Sequence, residues 1–285
     1  MRSWLGSVVF ERVAGADGAE RRSRIHDTPG PRWFAEDRPI RRVHGDASMF
    51  VGGLRALLLQ SLHPLAMAGV AGHSGYRGDP WGRLQRTSYF LAVTTFGAAD
   101  DAAETVAHIR SVHARVRGRA PDGRPYAATD PHLLHWVHVA EIDSFLRAHQ
   151  RYGARPLDAA GRDGYVRDAA RVAREVGVLD PPESEAELDS QLAAFRPELR
   201  GTPEARSTAR FLLLSPPLPL AARPPYALLG AAAIGLLPRW TRPELGLPDL
   251  PLLDDTAIAL AGHGITRAIR WAMAVPPPQL ARTGV

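Results

Sequence analysis

Apolar residues recur at helical spacing along most of the chain, and polar residues fill the positions between them. The segment Ala98–Arg117 is typical. Asp100, Asp101 and Glu104 lie in its first turns, arginines lie near its end and Gly118 follows, which is the order that a helix dipole and a glycine cap favour. No segment shows sustained alternation of apolar and polar residues between turn signals. The pattern therefore predicts an all-α fold, a single-domain bundle of about eight to ten helices.

Capping residues and prolines set the expected helix boundaries. The predicted helices span 46–60, 64–73, 81–95, 98–117, 131–153, 158–177, 184–195, 202–214, 226–237 and 255–274. Residues 1–39 are rich in Gly, Pro and Arg without periodicity, which predicts an irregular N-terminal arm before a helical domain over 40–285.

The composition narrows the range of partners and chemistry. All 35 basic residues are arginine, and they are interleaved with 30 acidic residues, so the net charge is only +5. This distribution predicts no nucleic-acid partner. The chain has no cysteine, which excludes disulfides, thiolate metal sites and cysteine nucleophiles, so any metal must be held by His, carboxylate or Tyr.

The apolar segments suggest where the protein resides. The first ten residues lack the apolar core and cleavage site of a signal peptide, so we expect a cytoplasmic protein. The most apolar stretch, Tyr226–Leu237, lies between prolines and falls short of the ~20 residues that span a bilayer. We therefore expect no transmembrane helix. Burial in the bundle is the main interpretation, and a peripheral membrane contact beside Arg223 and Arg239 is the alternative.

Two of the eleven histidines lie on apolar helix faces. His113 follows Val106 and Ile109 at helical spacing, whereas His108 is rotated by about 200° from Val106 and falls on the charged face. A core-facing imidazole needs a carbonyl, a carboxylate or a metal as its partner. His113 is therefore the first candidate for chemistry, and His108 is interpreted as solvated.

His138 is the second candidate, since it lies on the apolar stripe of the 131–153 helix. With His135 and Glu141 it forms an i, i+3, i+6 series that could present two imidazoles and a carboxylate on one side. No repeated Glu-x-x-His pair and no HExxH motif accompanies it. The competing interpretation is that His138 is a hydrogen-bonded core histidine beside a tryptophan.

Arg83 and Thr87 are one helical turn apart, with Phe90 and Thr94 on the same side. If that side faces the core, the guanidinium needs an anion, either a carboxylate of the chain or a propionate or phosphate of a bound cofactor. The Gly52-Gly53 pair follows no strand and is not part of a phosphate-binding motif, so we do not expect nucleotide binding.

A series of motifs in order extends this interpretation. The motifs are Gly52-Gly-Leu-Arg-Ala-Leu-Leu-Leu-Gln-Ser-Leu-His-Pro64, Gly69-Val-Ala-Gly-His-Ser74, Arg83-Leu-Gln-Arg-Thr87, Phe96-Gly97, His113-Ala-Arg-Val-Arg-Gly118, Asp122-Gly-Arg-Pro-Tyr126 and Asp130-Pro-His-Leu-Leu-His-Trp-Val-His138. Together they resemble the catalytic domain of the MpaB and rubber oxygenase (latex-clearing protein) family over roughly residues 40–215. The C-terminal third is similar to the family only in being helical.

The resemblance implies an all-α fold that holds haem b between helices and uses it to activate dioxygen. It makes His113 the proximal iron ligand, with His138 as the second choice. It also implies that Arg83 and Thr87 line the haem pocket as cofactor-binding and catalytic residues, with Arg83 near a propionate or a polar distal group.

Two departures from the family direct the substrate prediction. The rubber-cleaving members use a distal glutamate and a lysine, but this chain has no lysine and no glutamate that aligns clearly. The rubber enzymes are secreted and the fungal members are membrane-anchored, whereas neither signal is evident here. We therefore expect a haem-b-dependent oxygenase for a small lipophilic substrate, isoprenoids being candidates. The alternatives are a non-catalytic haem-binding or haem-sensing protein and a purely structural helical protein.

Overall fold

The computed structural model describes residues 10, 13–15, 17–73, 78–249 and 254–274, and it is 71% helical. Within these residues the α-helices are α1 (Gly18–Asp27), α2 (Pro39–His44), α3 (Met49–Gln60), α4 (Pro64–His73), α5 (Pro80–Phe96), α6 (Ala99–His113), α7 (Pro131–Tyr152), α8 (Ala159–Val176), α9 (Glu185–Ala194), α10 (Pro203–Leu214), α11 (Arg223–Leu236), α12 (Thr241–Leu245) and α13 (Ala259–Met273). Short helical turns cover Arg196–Glu198, Leu220–Ala222 and Asp254–Ile258. The all-α prediction is confirmed.

Helix capping explains why the boundaries agree so closely with the sequence pattern. Side chains accept hydrogen bonds from free backbone N–H groups at the start of α5, α7, α8, α9 and α10. The capping residues are Asp79, Asp130, Asp158, Ser184 and Thr202. At the other end of α8, Gly177 adopts a left-handed conformation with φ of 119° and ends the helix.

The helix count and the N-terminal arm require correction. All ten predicted helices are present with shifted ends, but the predicted total of eight to ten is too low, because α1, α2 and α12 are additional. The arm predicted as irregular contains α1, whose sequence is too polar to show periodicity: Ile25 is its one buried large apolar residue. Part of its stability comes from a contact to α6, where Arg24 donates to Asp101 over 3.0 Å. Residues 1–9 of the arm lie outside the described residues.

A second correction concerns the end of α6. The helix stops at His113, and Arg117–Arg119 (β1) pairs with Pro125–Ala127 (β2) in a two-stranded antiparallel hairpin. Gly118 therefore lies opposite Tyr126 in a strand instead of capping the helix. A Cβ atom there would lie 2.6 Å from the Tyr126 hydroxyl oxygen, which explains the glycine.

The core forms where α3 packs against α7. A Cβ atom at Gly52 would lie 2.8 Å from the ring of Phe145, so the two helices approach as closely as they do because residue 52 has no side chain. Beside this contact, the fully buried Arg55 forms a 2.7 Å ion pair with Asp143 and donates to Ser144 Oγ over 2.6 Å. The Gly-Gly pair is thus a helix-packing feature.

No single helix among the described residues is long and apolar enough to cross a membrane. The successive helices α3 and α4 reach the length and apolar composition of a membrane span only when they are taken together, and they are bent by 108° relative to each other.

Candidate active site

A cavity of about 1040 Å³ lies among α1, α2 and helices α4 to α8. Its walls are mostly apolar, with side chains such as Val70, Phe90, Ile109, Ile142 and Phe145. The volume is at the upper end of the roughly 300–1,000 Å³ typical of small-molecule and cofactor sites. Polar and charged side chains also line this cavity, and they indicate the chemistry that the site can perform.

His113 reaches the cavity from the last turn of α6. Its Nδ1 atom is buried without a hydrogen-bond partner within the described part of the chain. Burial alone lowers the pKa of His113, so the ring is neutral at pH 7. A neutral imidazole is the form that binds metal ions.

His138 reaches the same cavity from α7. Its Nε2 atom is buried, and among the described residues this atom has no hydrogen-bond partner. Burial, with smaller contributions from His135 and Arg174, lowers the pKa of His138 to about 3. The interpretation of His138 as a hydrogen-bonded core histidine therefore stays a prediction.

The series His135, His138 and Glu141 does not converge on one point. His135 turns towards α9, where its Nε2 atom lies 2.7 Å from Oε1 of Gln191, while His138 and Glu141 line the cavity. Successive members of an i, i+3, i+6 series are each rotated by about 60° around the helix, and this drift separates the first from the last. The three-residue metal site considered from the sequence is not formed.

Glu141 is a functional candidate in its own right, whereas the sequence suggested it only as one member of a metal site with His135 and His138. Its carboxyl group lines the cavity, and burial raises the pKa of Glu141 from 4.5 to about 7 with no other cause contributing. A carboxyl group in this state can give or take a proton near neutral pH.

His44 is a further titratable group at the cavity, and the sequence pattern did not single it out. It is the last residue of α2, a six-residue helix too short to show periodicity. Its Nδ1 atom lies 2.8 Å from Oγ1 of Thr95, and its Nε2 atom lies 3.5 Å from the hydroxyl of the buried Tyr165. Burial lowers the pKa of His44 to about 3, which keeps the ring neutral.

Arg83 and Thr87 line the cavity together with Phe90 and Thr94, so the side of α5 expected from the spacing does face one space. Arg83 is half-buried and Thr87 is exposed, which places this pair towards the mouth of the cavity and Thr94 in its interior. His108 is exposed, as expected from its rotation.

The structure thus brings His113, His138, Arg83 and Thr87 to the surface of a single cavity, together with Glu141 and His44. The fold and this site define a class of protein: an all-α protein with a large, mostly apolar cavity, neutral imidazoles on its wall and a carboxyl group whose pKa burial raises to about 7. Such a combination is typical of the binding or active site of an enzyme.

The sequence profile of the family described as ER-bound oxygenase mpaB/B'/Rubber oxygenase, catalytic domain, matches residues 41–271. The chain belongs to this family, a family of oxygenase catalytic domains.

Two curated relatives are proteins described as uncharacterized, one from Mycobacterium bovis and one from Mycobacterium tuberculosis. Each is 32% identical to this chain over 108 residues, which is 36% of this chain and 42% of the relative. The chain therefore matches less than half the length of these relatives. No solved structure matches it significantly.

Proposed function

We propose that this protein is a haem-b-dependent oxygenase that uses dioxygen to oxidise a small lipophilic substrate, such as an isoprenoid. The observation that carries the proposal is the neutral imidazole of His113, which lies on the wall of a large, mostly apolar cavity. Membership of an oxygenase family supports the reaction class.

The residues at the cavity fit a haem group. Haem needs an apolar slot, an axial ligand and a cation near its propionates. The apolar walls meet the first need, and His113, a neutral imidazole on the cavity wall, could meet the second. Arg83 at the mouth is placed to meet the third. When bound, the haem would supply the activation of dioxygen, chemistry that amino-acid side chains cannot perform.

The chain itself would contribute substrate binding and proton handling. The apolar walls around Phe90, Ile142 and Phe145 favour a lipophilic molecule and exclude water. Glu141 keeps a proton on its carboxyl group up to about pH 7, and it can hold or move this proton beside a bound substrate. Thr87 adds a hydroxyl group near the mouth that can donate or accept a hydrogen bond.

Absorption spectroscopy of protein produced with added haem precursor tests the cofactor. We expect a Soret band in the wild type, its loss in His113→Ala and its retention in His138→Ala. The matched control is His108→Ala, which removes an exposed histidine from the same helix as His113. Loss of the band only in His138→Ala would move the ligand to α7, and the absence of a band in every preparation would refute the haem proposal.

Dioxygen consumption separates an oxygenase from a haem carrier. Reduced, haem-loaded protein should consume dioxygen faster when a small isoprenoid is added, and a cleaved or oxygenated product should be detected by mass spectrometry. A normal Soret band with no substrate-dependent consumption across a panel of apolar alkenes would instead support the non-catalytic haem-binding alternative.

A further inference from the structure

A second cluster of metal-binding side chains lies away from the cavity. It consists of His63, in the turn between α3 and α4, His132, in the first turn of α7, and Glu198, in the helical turn after α9. None of the three lines the cavity described above. One ligand atom from each residue falls within 4.8 Å of the other two, although the residues come from three separate elements.

His63 is the unusual member of this cluster. The side chain is 3% exposed, and its Nε2 atom has no hydrogen-bond partner in the described part of the chain. Its contact is with Oε2 of Glu198, 3.4 Å away, which is longer than an ordinary hydrogen bond. A buried polar atom that is only weakly satisfied by the chain is a candidate ligand for an ion.

The ligand atoms are spaced closely enough for a small tetrahedral ion. Ligand atoms at about 2.1 Å from a tetrahedral zinc ion are about 3.4 Å from one another. The His63 Nε2 to Glu198 Oε2 distance is 3.4 Å, the His132 Nε2 to Glu198 Oε2 distance is 2.9 Å, and all the ligand atoms lie within 4.8 Å of one another. The exposed side chains of His132 and Glu198 would need to move by about 1 Å to close around an ion.

The surroundings set the balance of charge at this site. His132 and Glu198 are each about half exposed, so an ion can enter from solvent and keep a water ligand. Arg124 is a nearby cation, but its guanidinium pairs with Asp122 over 2.8 Å. Binding through Nε2 of His63 places the ring proton on Nδ1, which ends a hydrogen bond from Ala66 N that is already 3.4 Å long.

We propose that His63, His132 and Glu198 bind a divalent cation of the zinc type, which clamps the turn after α3, the start of α7 and the turn after α9 together. Two imidazole nitrogens and one carboxylate oxygen are a donor set that suits zinc. This site is independent of the proposed oxygenase chemistry, because it lies outside the cavity.

Calorimetric titration of the chelator-treated full chain with zinc chloride tests the proposal. We expect one equivalent of zinc to bind the wild type, with the affinity weakened by at least about tenfold in His132→Ala and in Glu198→Gln. These two residues are exposed, so their variants should fold normally, unlike a change at the buried His63. Zinc should also raise the melting temperature of the wild type and leave that of His132→Ala unchanged.

Two controls separate this site from other histidines. His108→Ala removes an exposed surface histidine, and His113→Ala removes the cavity imidazole that could bind zinc in haem-free protein. Both should bind zinc as the wild type does. No heat of zinc binding in the wild type, or equal affinity in the wild type and His132→Ala, would overturn the proposal. Because no step involves haem, a failed Soret experiment leaves this test unaffected.

Discussion

Replacing Glu141 with glutamine should make stability less dependent on pH. Burial in the apolar cavity raises the pKa of Glu141 from 4.5 to about 7. Below pH 4.5 the carboxyl group is protonated in both the folded and the unfolded chain. Between pH 4.5 and 7 only the folded chain keeps the proton, so the contribution of this group to stability is lost as the pH rises, and above about pH 7 the loss is complete. Glutamine does not titrate and has no such loss.

The size of the effect follows from the pKa. Each pH unit between the two pKa values is worth about 1.4 kcal/mol, so the free energy of unfolding of Glu141→Gln, relative to the wild type, should rise by about 3 kcal/mol from pH 4.5 to pH 8. Water that enters the cavity solvates the carboxylate, which makes this figure an upper value.

Urea unfolding of haem-free protein, followed by circular dichroism at several pH values, measures this difference. Glu104→Gln is the matched control, since it makes the same chemical change at an exposed glutamate on the edge of the same cavity. The pH dependence of its free energy of unfolding is the reference for the Glu141 variant. If the difference in free energy of unfolding between Glu141→Gln and the wild type stays constant with pH, or falls as the pH rises, the assignment of a buried carboxyl group with a raised pKa is refuted.

Three further substitutions test the scaffold that positions the site, each by urea or thermal unfolding. Gly52→Ala puts a methyl group 2.8 Å from the ring of Phe145 and should cost about 1–3 kcal/mol; an unchanged midpoint would contradict the close contact of α3 with α7. Arg55→Met removes the 2.7 Å partner of the buried Asp143, which keeps a 3.1 Å ion pair with Arg147, so the change should cost about 1–3 kcal/mol, and an unchanged midpoint would show that the pair is dispensable. Asp158→Ala removes the N-cap of α8 and should cost about 1 kcal/mol, whereas Asp158→Asn should retain most of the stability; equal losses in both would argue against the cap.

Local signals were sufficient for most of the secondary structure. Caps such as Asp158 and Gly177 act within one turn of the residues that they stabilise, so the sequence carries the whole interaction. The errors arose where stability comes from distant partners. Helix α1 depends in part on the contact of Arg24 with α6, and Gly118 pairs with Tyr126 across a hairpin.

The residues of the candidate site also fall into those that the local sequence predicts and those that it does not. The side of α5 that carries Arg83 and Thr87, and the apolar stripe that carries His113, follow from helical periodicity, and the structure places all three residues at one cavity. The role of Glu141 does not follow from periodicity, because a carboxyl group on a helix is ordinarily solvated. His44 lies on a helix of six residues, which is too short to show a pattern.

The sequence by itself therefore determined the helices, their polarity and the faces on which His113 and Arg83 lie, because these properties depend on residues within a few positions of one another. Tertiary structure alone decided which faces enclose a cavity, which titratable groups lose contact with bulk water, and that His63, His132 and Glu198 meet. Burial and convergence arise from the packing of segments far apart in the chain, and no local pattern records them.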